Sequence, residues 1–387
     1  MQSTLPQQER DRTVTPSNIK SFFRTLLCAA ALLAFTPAAN AQLGADLPSS
    51  TTEAISISTS QKSQINSFVQ TWTQRALSEN PQDNKKAIDA LTKPLKSRSV
   101  SVAFRQSYTQ SINPLLKELD NKDTIAATLA SLRIAADLAT PTATSKIKAA
   151  LKNEDLGIQL FAASRAGQVF KTTKSQGPAI TQSDADALIN ALQTLASEPN
   201  INPELYSASI RALIAATTLS SKDMGDARSN AIVALAQTIG THLRPLDPND
   251  DPAPLQAIAL HAASAITASI ADISSNTTPQ AVKAAVGLGA DIISVPLRRV
   301  LAGTLEPTSQ RDLTIKSVQA GETLLYFALK KEAETTRRFS AAVKQTNFAQ
   351  LLEAGEDKAF RNQASLLLAP GSPIVKAFDF DDDRFLH

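Results

Sequence analysis

The residues able to do chemistry are few, and their spacing limits what they can do. Three histidines are present, His242, His261 and His387. No two stand four residues apart, the helical spacing with which imidazoles share a zinc ion. His261 falls inside an alanine-rich helical stretch, where a packing position between repeats is expected. His242 stands at a predicted helix end beside Arg244, where a cation suits the negative end of the helix dipole. Two acidic clusters test as calcium loops: DPNDD (247–251) reads D-x-N-x-D, and DFDDD (379–383) reads D-x-D-x-D. An EF-hand loop needs glycine at its sixth position and a bidentate glutamate at its twelfth. The first cluster has Pro252 and Ile258 there, and the second has Arg384 at the sixth, so both are expected as a solvated loop and a charged tail.

No G-x-S-x-G, P-loop or G-x-G-x-x-G pattern occurs. Gly287-Leu288-Gly289 sits within a helical stretch and is expected to mark a close helix contact. No catalytic, metal-binding or cofactor-binding residue is assigned, and no cofactor is expected. One charge cluster remains. Lys330, Lys331, Arg337 and Arg338 repeat at a spacing of seven, so they share a helix face, and Arg298 and Arg299 belong to the preceding helix. Together they form a candidate patch for an anionic partner; the competing explanation is a solvated face partly neutralised by Glu332 and Glu334.

The elements that would position these residues are helices. Glycine is scarce, 12 in 387, while alanine, leucine and isoleucine abound, which favours an all-α chain. LFAAS (160–164), LYSAS (205–209) and LHAAS (260–264) repeat one pattern, a large residue beside small ones at i, i+3 and i+4. Such a stripe makes a knob next to a shallow groove, so Ser164, Ser209 and Ser264 are expected at helix–helix contacts. Each copy follows a second kind of helix: IKAAL (147–151), LINAL (188–192) and AIVAL (231–235), with AVKAAV (281–286) preceding a degenerate copy at Leu313 and Ser317. Helix pairs recurring every ~33–55 residues predict an α-solenoid of stacked antiparallel pairs with irregular loops. Asp123, Asp155 and Asp223 are expected at helix starts, with Pro141, Pro203 and Pro279 in first turns. The pattern predicts helices near 60–79, 83–96, 100–119, 123–139, 142–152, 155–171, 181–198, 203–219, 224–243, 253–272, 279–302, 308–336, 339–353 and 356–368.

The N-terminus reads as an address. Lys20 and Arg24 precede a short apolar run at 25–35, and Ala39-Asn40-Ala41 is a small-x-small cleavage pattern. Residues 1–41 are therefore expected as a signal peptide cleaved after Ala41, with a flexible segment at 42–59, repeats over 60–370 and an acidic, aromatic tail at 371–387. Cys28 leaves with the signal, so the mature chain has neither a disulfide nor a thiol nucleophile. Arg10, Arg12, Lys20 and Arg24 leave with Glu9 and Asp11, which brings the formal charge from +3 to +1. No global positive field remains to favour nucleic acid, and no transmembrane segment is expected in the mature chain.

KNEDLGIQLFAASRAGQVF (152–170) resembles the second half of a HEAT-like repeat, in which an acidic turn precedes a helix carrying small residues and an arginine on its inner face. The resemblance covers about 120–330. It places Arg165 and Arg211 near the repeat arginine, while the third copy has Ala265 there. It implies a protein that binds another macromolecule. The expectation is an exported, non-enzymatic scaffold in the periplasm or outside the cell, binding another protein or envelope component. The alternatives are an α/α-barrel enzyme acting on polysaccharide and a purely structural spacer. Barrel enzymes of that kind line their mouths with aromatics and acids, and this chain has one Trp and three Tyr.

Overall fold

Helix starts are fixed by local chemistry. A computed structural model describes residues 46–386, apart from 273, 275 and 337–343. The helices run α1 (Ser49–Thr52), α2 (Thr59–Ala76), α3 (Pro81–Thr92), α4 (Val102–Asn121), α5 (Ile125–Leu138), α6 (Pro141–Ala150), α7 (Leu156–Gln176), α8 (Gln182–Ala196) and α9 (Pro203–Ala216). They continue as α10 (Ser221–Met224), α11 (Ala227–Leu243), α12 (Ala253–Ala271), α13 (Pro279–Ala302), α14 (Asp312–Thr336), α15 (Phe348–Glu353), α16 (Asp357–Leu368) and α17 (Pro373–Phe378). No strand occurs among the described residues. Pro141, Pro203 and Pro279 each open a helix, where the missing N–H costs nothing. Asp155 caps α7 by accepting from the Ile158 N–H at 3.0 Å, and Asp223 lies in the single turn of α10. Asp123 instead takes a left-handed backbone, φ 46°, and Thr124 caps α5 by accepting from the Ala127 N–H.

Helices pack on their second neighbours. α5 packs on α7, α7 on α9, and α12 on α14, while α6 packs on α8, α8 on α11, α11 on α13 and α13 on α16. Chain neighbours α6–α7, α8–α9, α11–α12 and α13–α14 also touch. Two rows result, a first row of α6, α8, α11 and α13 and a second row of α7, α9, α12 and α14, a pattern compatible with a helical solenoid. Side-chain size sets the spacing within the second row. At Gly167 of α7, a Cβ would stand 3.4 Å from the Cα of Ala212 on α9. α12 and α14 are stitched by polar contacts: the Gln256 amide donates to Thr314 Oγ1 at 3.1 Å, and the Ser317 hydroxyl donates to the Gln256 carbonyl at 3.1 Å. Gly289 marks the close contact expected of it, since its Cβ would meet the Gly321 carbonyl oxygen at 2.9 Å.

The repeated pentapeptides do not share one structural register. In α7 and α12 the third and fourth letters are buried, Ala162 and Ala163, then Ala262 and Ala263. In α9 the fourth and fifth are, Ala208 and Ser209. Ser164 and Ser264 are exposed, and the Ser264 hydroxyl bonds back to its own helix at the Leu260 carbonyl. The expectation of three buried serines therefore holds for Ser209 alone. A slip of one position turns a side chain by about 100° around the axis, enough to exchange a contact for solvent.

Both ends of the described chain are packed. Near the start, the Ser101 N–H donates to the Thr52 carbonyl at 2.9 Å and the Ser101 hydroxyl to the Ala54 carbonyl at 2.6 Å, so the stretch expected to be flexible is docked from residue 46 onward. At the other end α17 and the acidic tail fold back. Phe378, Phe380 and Phe385 are buried and pack in series, the first pair stacked with ring centroids 5.9 Å apart and the second edge to face at 5.6 Å. Arg384 lies over the Phe380 and Phe385 rings and reaches the fully buried carboxylate of Asp291 on α13 at 2.8 Å. Gly287 leaves the room for this guanidinium, since a Cβ there would come within 2.6 Å of it. The proposed signal segment, with its cleavage site and Cys28, lies outside the described residues.

Candidate functional site

The second row of helices opens at one place. α9 and α12 approach each other much less closely than their neighbours do. Isoleucines face the gap where α7–α9 and α12–α14 have glycine, alanine or serine. Ile210 and Ile214 from α9 and Ile258 from α12 line a groove of about 410 Å³, with Ser207, Arg211 and His261 completing it. Arg211 stands on one wall and His261 on the other, and no carboxylate is among the lining residues. Arg211 and His261 are exposed. The Arg211 guanidinium donates through Nη1 to its own-helix neighbour Ser207 Oγ at 3.1 Å, which leaves its other edge open. An apolar floor with a guanidinium and an imidazole at its margin can seat aliphatic groups and orient a carboxylate or phosphate above them.

The repeat arginine behaves differently one helix earlier. Arg165 lies 4.6 Å from the Phe161 ring centroid. It also faces Asp137 of α5, whose carboxyl is pushed above the ordinary range by burial against the opposing pull of Arg165, Lys96 and Arg133. Arg165 is thus partly neutralised within the protein, whereas Arg211 is not. His261, expected as a packing position, is instead exposed on the open face, while its pentapeptide counterpart Tyr206 is buried and packs against His242 at 4.6 Å. His242 Nε2 lies 2.8 Å from the Ala196 carbonyl at the end of α8. His242 lies in the last turn of α11, the helix end the sequence suggested, but its ring reaches across to the end of α8.

The basic patch is dispersed by the fold. Arg298 and Arg299 are each only 8% exposed, and their Nη groups donate to backbone carbonyls. Arg298 donates to the carbonyls of Leu243, Arg244 and Leu246 at 2.8, 2.8 and 3.0 Å. Arg299 donates to those of Pro248, Asp250 and Thr304 at 2.8, 2.6 and 3.0 Å and pairs with Glu306 at 2.9 Å. These guanidiniums cannot join an exposed anion site. They also explain the cluster at 247–251: Arg299 holds the Pro248 and Asp250 carbonyls and so fixes the loop from within the protein. Lys330 is exposed and Lys331 half-buried on α14, beside buried Glu332; Arg337 and Arg338 lie outside the described residues. Among the described residues no group of three or more His, Cys, Asp or Glu is placed to hold a metal ion.

Two further hollows are less specific. One of about 490 Å³ lies against α6 and α8, where Lys148 and Lys152 share the lining with Glu198. One of about 500 Å³ separates Thr241, Arg244 and Pro245 from the tail residues Asp381, Asp383 and Arg384, so its cations already face acids. α12 is long and apolar enough to cross a membrane by length and composition alone; here its inner face packs against α9, α11, α13 and α14. No protein-family model matches the chain, and no curated protein sequence matches it.

Proposed function

We propose that this chain is an exported, non-enzymatic scaffold of HEAT-like helix pairs that binds another macromolecule of the cell envelope through the outward face of its second helix row. The single observation that carries the reading is the break in that row. A stack whose neighbours meet over small residues opens between α9 and α12 onto a floor of Ile210, Ile214 and Ile258, rimmed by Arg211 and His261. Ile214 and Ile258 are half-buried at this opening, and covering what they expose is favourable by ~25 cal/mol per Å² of apolar surface. Export rests on the n-region, apolar run and Ala39-Asn40-Ala41 site.

A photo-crosslinking amino acid placed at position 261, compared with the same group at exposed Asn190 on the first row, tests the reading in intact cells. Discrete envelope adducts from 261 and none from 190 are expected, on a protein whose N-terminus is Gln42. Equal, diffuse labelling from both positions, or a protein recovered only inside the cell with residues 1–41 intact, would refute it.

A further inference from the structure

The groove between α9 and α12 has a charge signature that narrows its occupant. Resting on the binding reading above, we infer that it takes an acidic segment of a partner protein, one that alternates carboxylates with aliphatic side chains. Three features of the wall lead there. First, Ile210, Ile214 and Ile258 come from two different helices and form a continuous apolar floor, which calls for aliphatic side chains in the ligand rather than a bare polyanion. Second, the one permanently charged side chain that lines the groove is a cation, Arg211. Arg211 and His261 face each other across the floor, no carboxylate is among the described residues that line it, and the Arg211 guanidinium donates to neutral Ser207. A planar guanidinium with an open edge recognises carboxylate in a bidentate manner. Third, α12 carries no Asp, Glu, Lys or Arg anywhere along its length. Its outward side shows Pro254, Ser264, Ala268 and Ala271, small side chains beside which a backbone can lie without stripping water from a charge.

The contrast with the neighbouring hollows favours this site over them. In the hollow between Arg244 and the tail, Asp381 and Asp383 already answer the arginines, and in the one against α6 and α8, Glu198 stands with the lysines. The groove between α9 and α12 has Arg211 and His261 on its rim and no carboxylate among the described residues that line it.

The test measures fluorescence anisotropy with the full mature chain and three labelled peptides: a Glu-Leu-Leu-Glu repeat, the same repeat with Lys for Glu, and the same repeat with Ser for Leu. The Glu-Leu peptide should bind at least ~10-fold more tightly than either of the others. Arg211→Gln with His261→Gln should abolish that preference, and so should Ile258→Glu, which adds a carboxylate to the floor. All three side-chain positions in these tests are at the surface or half-buried, and circular dichroism checks that each variant keeps its helix content. Equal binding of the Glu and Lys peptides overturns the inference, as does unchanged binding by the double variant. Binding of phosphatidylglycerol vesicles or of polygalacturonate in preference to the Glu-Leu peptide overturns it too. If the charge preference fails while position 261 still crosslinks in the envelope, the inference fails alone. If the preference holds and no envelope partner crosslinks, the broader reading fails alone.

Discussion

Arg298 and Arg299 on α13 and Arg211 on α9 are the same side chain in opposite circumstances. The first two are buried, and between them their N–H groups tie down the carbonyls of Leu243, Arg244, Leu246, Pro248, Asp250 and Thr304. Arg211 is exposed beside an apolar groove with one bond to a hydroxyl of its own helix. What separates structure from recognition here is where the donors go. An arginine whose fork is filled with backbone oxygens has nothing left for a ligand, however basic its neighbourhood looks in sequence. An arginine with an open edge over isoleucines can still choose a partner.

The largest effect expected from breaking the buried set lies at the tail, where a guanidinium meets a carboxylate rather than carbonyls. Arg384→Gln leaves the fully buried Asp291 without its ion-pair partner, and loss of about 3–5 kcal/mol is expected near neutral pH. Burial holds the Asp291 pKa above its ordinary value, with Arg384, Arg244 and Arg298 pulling the other way. Removing Arg384 raises it further. A carboxyl whose folded pKa is raised favours the fold when protonated, so the deficit should shrink as pH falls through that pKa. Denaturant melts of Arg384→Gln across pH 4–8 check the sign, and Asp291→Asn added to it should recover much of the loss. A deficit that grows on acidification would mean that Asp291 is not the partner that matters.

Next in size is Arg298→Met. Three carbonyls lose their donor in a buried setting, and each such group costs about 1–3 kcal/mol when left bare. A net loss of about 3 kcal/mol is expected by thermal melt, with no change in Glu-Leu peptide binding. Arg298→Lys should rescue little, because a compact ammonium cannot span the same three oxygens.

A smaller effect tests the register of the repeats. Ser209 is fully buried and its hydroxyl has no partner, whereas Ser164 and Ser264 are exposed. Ser209→Leu should cost about 1–3 kcal/mol by overpacking, and Ser164→Leu and Ser264→Leu should stay within about 0.5 kcal/mol of the parent. Equal losses at all three would restore the common register that the letters suggest.

That register shows where sequence stops informing. Helix positions were legible because their causes are local: Pro141, Pro203 and Pro279 open helices and Asp155 caps one where the chain says they should. The pairing of helices was legible from their period. Which of five letters faces inward was not, because loops of unequal length rotate each helix independently. His261 was expected to pack because it shares a pentapeptide position with Phe161 and Tyr206; Tyr206 is buried and His261 exposed, and the one-position slip in α9 breaks that analogy. Arg298 and Arg299 looked like a surface patch because their acceptors are backbone carbonyls some 50 residues away, which carry no side-chain signature. The tail looked solvated because Asp379 to Asp383 dominate its composition, while Arg384 and the three phenylalanines decide its fate. The HEAT-like resemblance did point at Arg165 and Arg211, and the structure separates them: one faces Asp137, the other an open groove.

Hydrogen exchange of the full mature chain, with and without the Glu-Leu peptide, tests the central claim most directly, because it maps the occupant onto both regions at once. Slowed exchange confined to α9 and α12 is predicted, with residues 243–250 and the Lys330 end of α14 unchanged. Protection centred on Lys330 and Lys331, or spread evenly over the stack, would contradict the assignment of recognition to the groove.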